Sequence, residues 1–230
     1  MSLRKRAYSL HRWLGMIVGL QVVLWIAGGV VMSAIPIDIV RGTHLLHDLP
    51  NPDKPSTQIP SDLSWKSLSY VQRNGDTAVV VEYWSGEISF RDPTTFEELP
   101  ELSENEVRTT AMTRFKQQAN VLGIYRLTQI PQEVSRLSLP MYKVVFDDWK
   151  STTLYVSPKS GNIESVRTDI WRFYDFFWML HIMDYKNRSD FNNPLVIIAA
   201  TLSLLMVASG LLLLYYRVVK PMVARRNGFT

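Results

Sequence analysis

The sequence predicts a membrane protein with two α-helical spans and an α+β domain between them. Two apolar runs, 13–35 and 194–216, predict the spans. Each is about 23 residues long and would cover roughly 35 Å as a helix, which is enough to cross a bilayer with some tilt. The first run contains one strongly polar side chain, Gln21, and the second contains no charge. The polar segment 36–193 is long enough for one domain with its own core.

The first run could instead belong to a secretory leader, because Arg4, Lys5 and Arg6 precede it. However, the run is longer than the apolar part of a leader, and residues 33–35 form only a weak cleavage signal. These two features favour a span that is retained in the mature protein.

The charges are divided between the ends and the middle of the chain. Segments 1–35 and 195–230 each carry four Lys or Arg and no acid, so all 21 Asp and Glu lie between them. Cytoplasmic segments beside spans are rich in Lys and Arg. Both ends, including a basic tail at 217–230, are therefore predicted to be cytoplasmic, with the central domain on the opposite side. The pI of 9.3 reflects this topology and not nucleic-acid binding.

The chain contains no Cys, which excludes disulfides, thiolate metal sites and a cysteine nucleophile. Histidines and carboxylates remain as candidate metal ligands. The sequence also lacks the zinc-protease, phosphate-cradling and nucleophile-elbow motifs, and no flavin or nicotinamide fingerprint is visible.

Both spans carry pairs of small residues four positions apart, where another helix can approach closely. The pairs are Gly15 with Gly19, Gly29 with Ser33, and Ala199 with Ser203. A two-span monomer offers each helix one neighbour. We therefore expect a homodimer whose spans form a four-helix transmembrane bundle.

The domain is predicted to occupy 36–168. Four prolines between positions 50 and 60 exclude a helix there and predict an extended connector. A short helix over 63–72, capped by Ser61 or Asp62, is predicted next. Residues 77–84 are rich in β-branched and aromatic side chains and, with 87–91, predict a β-hairpin.

The second half of the domain begins at a capping box. Ser103 and Glu106 have the required spacing and predict a helix that runs to about Leu122. Apolar residues recur every four positions on it, at Val107, Ala111, Phe115 and Ala119. Strands are predicted at 140–147, 152–157 and 162–167.

The domain shows one pattern twice: a helix, then strands that end in a turn and a further strand. The segments 88–95 and 154–161 are the parallel strand-turn pieces. A duplicated α+β unit is the simplest interpretation.

Segment 169–193 is predicted to be an aromatic interfacial helix followed by a connector. Six large aromatic side chains fall within eight residues, and such rings favour the membrane interface. They are Trp171, Phe173, Tyr174, Phe176, Phe177 and Trp178. The helix is predicted over 169–183, at or entering the outer leaflet, and it is predicted to break in the polar stretch 184–193.

Four short motifs, in this order along the chain, resemble the PepSY-associated transmembrane proteins. They are the residues 11–15 that open the first span, the strand-turn 155–161, Leu180-His181, and Ser209-Gly210-Leu211. The resemblance covers nearly the whole chain. It implies that the 36–168 domain consists of two PepSY-like units.

Members of that family include reductases of the bacterial inner membrane that reduce ferric iron or ferric siderophores on the periplasmic side. Histidines hold b-type haem within their helix bundle. This chain is similar to the short two-span members that are associated with ferric reduction for ferrous uptake. The resemblance therefore implies haem b, one or two per dimer, ferric iron as substrate, and a ferrous iron transporter as a partner.

The chain has four histidines, and all lie near the predicted membrane. His11 is at the cytoplasmic mouth of the first span, and His181 comes just before the second. Neutral imidazoles on facing helices are suitable axial ligands for haem iron. In a symmetric dimer one such histidine per chain suffices. The alternative for His11 is contact with lipid head groups, and for His181 a hydrogen bond within an aromatic helix.

His44 and His47 follow the first span and are three positions apart, with Asp48 adjacent. On a helix the two imidazoles would share a face. These three residues are candidates for haem ligation or for holding a ferric ion. The alternative is that they have no ligand role, since a third ligand in register is not evident.

Two function classes follow. The first is a haem-b electron-transfer protein that reduces ferric iron or a ferric chelate at the periplasmic face, with electrons from a quinol or a cytoplasmic reductase. The second is a non-enzymatic binding or assembly subunit, or a modulator of a peptidase, whose spans are anchors.

Overall fold

The computed structural model describes residues 3–53, 59 and 64–226. They form two compact units. The helical unit comprises the chain up to Ile35 and from Tyr174 onward, and the sheet unit comprises Pro36–Phe173. Two long apolar helices and a β-rich unit agree with the predicted class, a membrane protein with an α+β domain.

The helices and strands are accompanied by 3-10 turns at Thr43–Leu45 and Gln132–Val134 and a π-helical turn at Tyr215–Val219. In chain order they are α1 (Leu3–Ala34), α2 (Ile37–Arg41), β1 (Ser67–Arg73), β2 (Asp76–Glu82), β3 (Ile88–Arg91), α3 (Glu104–Arg114), β4 (Asn120–Arg126), β5 (Tyr142–Asp147), β6 (Thr153–Val156), β7 (Ile163–Arg167), α4 (Asp169–Ile182), α5 (Pro194–Leu214) and α6 (Lys220–Arg226).

Both predicted spans are helical and extend beyond the apolar runs. The segments long and apolar enough to cross a membrane are Lys5–Ala34 and Pro194–Val223. After α5 the chain continues through the π-helical turn into α6, so the predicted basic tail is helical as far as Arg226. Lys and Arg are good helix formers, and a helix therefore does not have to stop where the apolar run stops.

One stripe of α1 faces the rest of the helical unit. Its seven positions alternate four and three residues apart, which places them on one side of a helix. They are Ala7, His11, Leu14, Val18, Gln21, Trp25 and Gly28. Leu14 and Val18 are buried. His11 contacts α5, whereas Gln21 and Trp25 contact α4.

α4 contacts the second half of that stripe. The predicted aromatic helix is confirmed over Asp169–Ile182, and it ends because Met183 adopts φ +55°. Gln21 Nε2 donates to the carbonyl oxygen of Leu180, and Trp25 Nε1 donates to that of His181. These donors satisfy carbonyls that the end of a helix leaves without main-chain partners.

The sheet unit contains two antiparallel sheets. One has the order β1-β2-β3 and the other β4-β5-β6-β7. Strands β5, β6 and β7 confirm the three strands predicted at 140–167, and β2 with β3 confirms the predicted hairpin. The main core lies between α3 and the second sheet, and it includes Val107, Val144 and Leu154, all 0% exposed.

The helix predicted over 63–72 is wrong. Residues Ser67–Arg73 form β1, which pairs with all of β2 across the turn Asn74-Gly75. Both turn residues have positive φ, +52° and +94°, as a two-residue hairpin turn requires. The proposed caps Ser61 and Asp62 lie outside the described residues, as do Pro55 and Pro60 of the predicted connector.

The helix that begins at the capping box is shorter than predicted. The capping box itself is confirmed, since Ser103 Oγ accepts from the Glu106 N–H and the Glu106 carboxylate accepts from the Ser103 N–H. α3 ends at Arg114 instead of about Leu122, because Phe115 is extended and forms a bridge with Leu46. The residues predicted to end the helix belong to β4, the edge strand that pairs with β5.

The predicted duplication concerns two matched strand-turn segments and two helices. The matched segments 88–95 and 154–161 each contain a strand and the turn after it, β3 and β6 respectively. After its turn β6 pairs with β7, and after its turn β3 forms a single bridge, between Arg91 and Glu98. β1 stands where the first helix was predicted. The division into two PepSY-like units stays a prediction.

Candidate functional site

His11 lies on α1 and its ring is half-buried against α5. The ring Nδ1 is 3.0 Å from the carbonyl oxygen of Met206 and 3.1 Å from Ser209 Oγ. A carbonyl oxygen can only accept, so Nδ1 carries the proton. In the neutral ring Nε2 then carries the lone pair. Metal-bound histidines typically have this arrangement, in which the other ring nitrogen donates to a carbonyl.

Gly210 makes room for the His11 ring. A Cβ built at this position would lie 3.0 Å from His11 Cε1 and 3.4 Å from Nδ1, which is closer than ordinary contact. Ser209 Oγ also donates to the Met206 carbonyl, at 2.7 Å. The Ser209-Gly210 pair therefore both orients the imidazole and leaves space for it.

His181 lies in the last turn of α4, where its ring is tilted against that of Trp25. The ring centroids are 6.2 Å apart at an interplanar angle of 53°. The His181 Nδ1 atom is buried and has no hydrogen-bond partner among the described residues. An unpaired buried polar atom costs about 1–3 kcal/mol. A partner from outside the chain would therefore stabilise this position.

The two histidines lie at different depths of the same helical unit. The contact partner of His181 is Trp25, fourteen positions after His11 on the same stripe of α1. At 1.5 Å per residue, the two levels are roughly 21 Å apart along the helix. His11 offers a defined tautomer, and His181 offers a buried nitrogen without a partner among the described residues; these features would suit an axial haem ligand.

The aromatic side chains of α4 divide into packed and exposed rings. Trp171 stacks under Arg167, whose guanidinium carbon is 4.1 Å from the ring centroid, and Trp178 packs edge-on against Phe191 at 5.5 Å. Phe173 and Phe176 are about half exposed. The helix therefore presents apolar rings to its surroundings, as the prediction of a membrane-associated segment requires.

The structure does not bring His44, His47 and Asp48 together as a metal site. The 3-10 turn ends at Leu45, and Leu46 is extended, so the two histidines do not share a helix face. The main chain of His47 is instead bonded to Arg114. Burial lowers the pKa of Arg114, and the nearby Asp48 carboxylate offsets part of that lowering. Within 3–53, 59 and 64–226, no three His, Asp or Glu form a metal-binding group.

Between α4 and the connector that follows it lies a half-buried ion pair that sequence reasoning missed. Asp175 is 8% exposed and accepts from Arg188 Nη1. The loop itself is organised by Asp184, whose carboxylate accepts four backbone N–H groups, from Lys186, Asn187, Ser189 and Asp190. These bonds lower the Asp184 pKa to about 2. The acid Asp175 among the aromatic residues of 171–178 was the available signal.

The sheet unit has a cavity of about 560 Å³ with an acidic lining. Its carboxylates are those of Asp53, Asp76, Asp92, Glu101 and Glu106. Backbone N–H groups of Thr95 and Thr94 lower the pKa of Asp92. The buried Arg73 guanidinium is bonded to carbonyl oxygens of Lys159 and Pro100. The cavity is therefore suited to cationic groups, although its acids do not converge on a metal.

These features define a membrane protein with two long apolar helices, a half-buried histidine in each of two helix contacts, and a separate β-rich unit. The family model described as PepSY-associated TM region matches residues 4–229. The chain belongs to this family. Comparisons with curated proteins and with solved structures gave no match.

Proposed function

We propose that this protein is a homodimeric haem-b electron-transfer protein of the bacterial inner membrane. It reduces ferric iron or a ferric chelate at the periplasmic face in support of iron uptake. The observation that carries the proposal is the buried, unpaired Nδ1 of His181 in the same helical unit as His11, whose Nδ1–H is bonded to a carbonyl. Family membership and the distribution of charged residues support the location.

His11 and His181 are the residues that would hold haem. The group supplies a one-electron Fe(III)/Fe(II) couple when it is bound. Each electron converts one ferric ion to one ferrous ion, so the protein needs a donor, for which a quinol or a cytoplasmic reductase is suitable. A ferrous iron transporter is the corresponding partner for the product. In the helix contacts, Met206 orients the His11 ring and Trp25 fixes the main chain of His181.

The expected dimer is supported by two glycines, Gly19 and Gly29, against which no other described part of the chain packs. A Cβ at Gly19 or Gly29 would meet nothing within 4 Å. A Cβ built at Gly28, by contrast, would lie 3.7 Å from the Phe177 carbonyl oxygen, and one built at Gly15 would lie 4.0 Å from Met206 Sδ. A second copy that packs against Gly19 and Gly29 would let the same histidine of both copies face one haem. Light scattering in detergent tests this contact by comparing the particle mass of the Gly19→Leu variant with that of Met16→Leu, which serves as the control.

An absorption spectrum of the detergent-purified, full-length protein tests the function. We expect a Soret band that shifts when dithionite is added. The variants His11→Ala and His181→Ala should each lose part of the haem, whereas His44→Ala serves as the control and should keep it. A protein without a Soret band, or a band unaffected by either substitution, would contradict the proposal.

A second candidate is a non-enzymatic binding or assembly subunit. The observation in its favour is the acidic cavity of the sheet unit, which offers carboxylates for binding a partner. In that case iron uptake in cells would tolerate the loss of His11 and His181 together. It would instead depend on surface residues such as Asp76 and Glu101.

A further inference from the structure

Two buried side-chain nitrogens lack a hydrogen-bond partner in the part of the chain that the structure describes. One is His181 Nδ1, and the other is Arg188 Nε. Both belong to the same corner of the helical unit, formed by α4 and the connector that follows it. Buried guanidinium nitrogens are nearly always bonded, because an unpaired charged donor is costly to bury.

The position of Arg188 is built by the connector and is not that of a free surface chain. Its φ is +55°, which a residue other than glycine seldom adopts. Trp178 Nε1 donates to the Arg188 carbonyl at 3.3 Å, and Arg188 Nη1 donates to the buried Asp175 carboxylate. The Asp184 carboxylate holds the backbone on both sides of Arg188. Several contacts thus hold an arginine whose Nε edge is left unused.

The two unpaired nitrogens belong to residues that are linked through Trp178 of α4. Asp175 lies three residues before Trp178 and His181 lies three residues after it, so each is a neighbour of Trp178 on the helix surface. The distance along the axis from Asp175 to His181 is roughly 9 Å. Arg188 is bonded to Asp175 through its side chain and to Trp178 through its carbonyl oxygen, about one helical turn from His181.

We propose that Arg188 binds a carboxylate of the haem that His181 holds, through its Nε edge. The inference rests on the proposed function and adds an anion-binding residue to that site. An arginine that offers Nε and a neighbouring Nη to one carboxylate forms a bidentate, charge-assisted pair, and haem b carries two carboxylates. Asp175 then acts as an internal carboxylate that partly neutralises the guanidinium and competes with the ligand for it.

The simpler alternative is that Arg188 only neutralises the buried Asp175. The two accounts predict different effects of two substitutions on the binding of a carboxylate ligand. If the ion pair is all that matters, Arg188→Gln and Asp175→Asn both break it and have the same effect. If Arg188 binds a carboxylate ligand, Arg188→Gln removes the binding group. Asp175→Asn removes a competing internal carboxylate, so binding is kept or strengthened.

The test compares haem b with its dimethyl ester, in which both carboxylates are blocked. The full-length protein is expressed without a haem supply, purified in detergent and titrated with each form, with the Soret band as the readout. We expect the wild type to bind the free acid about tenfold more tightly than the ester, the size of one charge-assisted hydrogen bond. Thermal unfolding of the haem-free protein shows whether each variant is folded.

The variants give separate outcomes. Arg188→Gln should abolish the preference for the acid, Arg188→Lys should keep part of it, and Asp175→Asn should keep or increase it. Lys186→Gln removes a charge from the same connector and should leave it unchanged. Equal binding of acid and ester by the wild type would overturn the inference while leaving haem binding intact, and so would an equal loss in Arg188→Gln and Asp175→Asn. Failure to bind either form would instead refute the proposed function.

Discussion

His11 and Met206 are joined across the two apolar helices by a hydrogen bond from the ring Nδ1 to the main-chain carbonyl, at 3.0 Å. The bond fixes the tautomer of the imidazole. Because Met206 O also accepts from Ser209 Oγ, the carbonyl, the hydroxyl and the ring form one polar cluster between otherwise apolar helices. Such supporting contacts tune a metal-bound histidine.

Gly210→Ala should displace the His11 ring, since the added Cβ would lie 3.0 Å from Cε1. We expect haem held by His11 to be reduced while that held by His181 is retained, measured as haem per chain in the purified protein. Ser203→Ala is the control, because it removes a hydroxyl on the same helix that is bonded to the Ala199 carbonyl. Unchanged haem content in Gly210→Ala would argue against ligation by His11.

Trp25→Phe should weaken the contact between α1 and α4. The substitution removes the donor to the His181 carbonyl, a bond of 2.8 Å, and should lower the free energy of unfolding by about 1 kcal/mol. It should also change the Soret spectrum through His181. Trp84→Phe is the comparison, because Trp84 is 71% exposed. Thermal unfolding and absorption spectra of both variants measure the effect, and equal behaviour would count against the anchoring role.

Asp184 should make the stability of the helical unit depend on pH. Its folded pKa of about 2 lies below the ordinary 3.8, so the carboxylate form favours the folded state. This contribution is fully present above about pH 5 and should be lost as the pH falls from about 4 towards 2. Thermal unfolding at pH 3 and pH 7 should show the wild type losing its advantage over Asp184→Asn at the lower pH.

The matched control for that experiment is Asp190→Asn. It removes the same charge from the same connector, but the Asp190 side chain accepts one backbone N–H where Asp184 accepts four. If Asp184→Asn and Asp190→Asn show the same pH dependence, the network of backbone bonds is not the cause.

Gly42→Ala should destabilise the sheet unit more than Gly75→Ala. Both glycines have positive φ, +69° and +94°, so both substitutions carry a backbone cost of roughly 1 kcal/mol. Only at Gly42 would the new Cβ also clash, at 2.7 Å from Val166 Cγ1, adding about 1–3 kcal/mol. Denaturant unfolding of the full-length variants followed by tryptophan fluorescence gives the difference. Equal values would show that Val166 moves away without cost.

Local sequence signals predicted much of the fold correctly. The capping box at Ser103, the hairpin that contains β2 and the strands β5 to β7 depend on contacts between near neighbours, and these are written in short stretches of sequence. β1 was mistaken for a helix although Asn74-Gly75 is a strong hairpin signal. The end of α3 was misplaced because its apolar spacing continues into Phe115 and Ala119, which pack on the same core from outside the helix.

The sequence by itself determined the two apolar helices, the aromatic helix before the second of them and the identity of the candidate histidines, because periodicity and composition encode these directly. Only the tertiary structure decided which of those histidines lie in helix contacts. It paired His11 with Met206 and His181 with Trp25, and it added Arg188 and Asp175, which no motif marks. His44, His47 and Asp48 are adjacent in sequence, yet the extended Leu46 and the bonds to Arg114 separate their roles. Such pairings depend on contacts between residues that are distant in sequence, and spacing within one segment does not determine them.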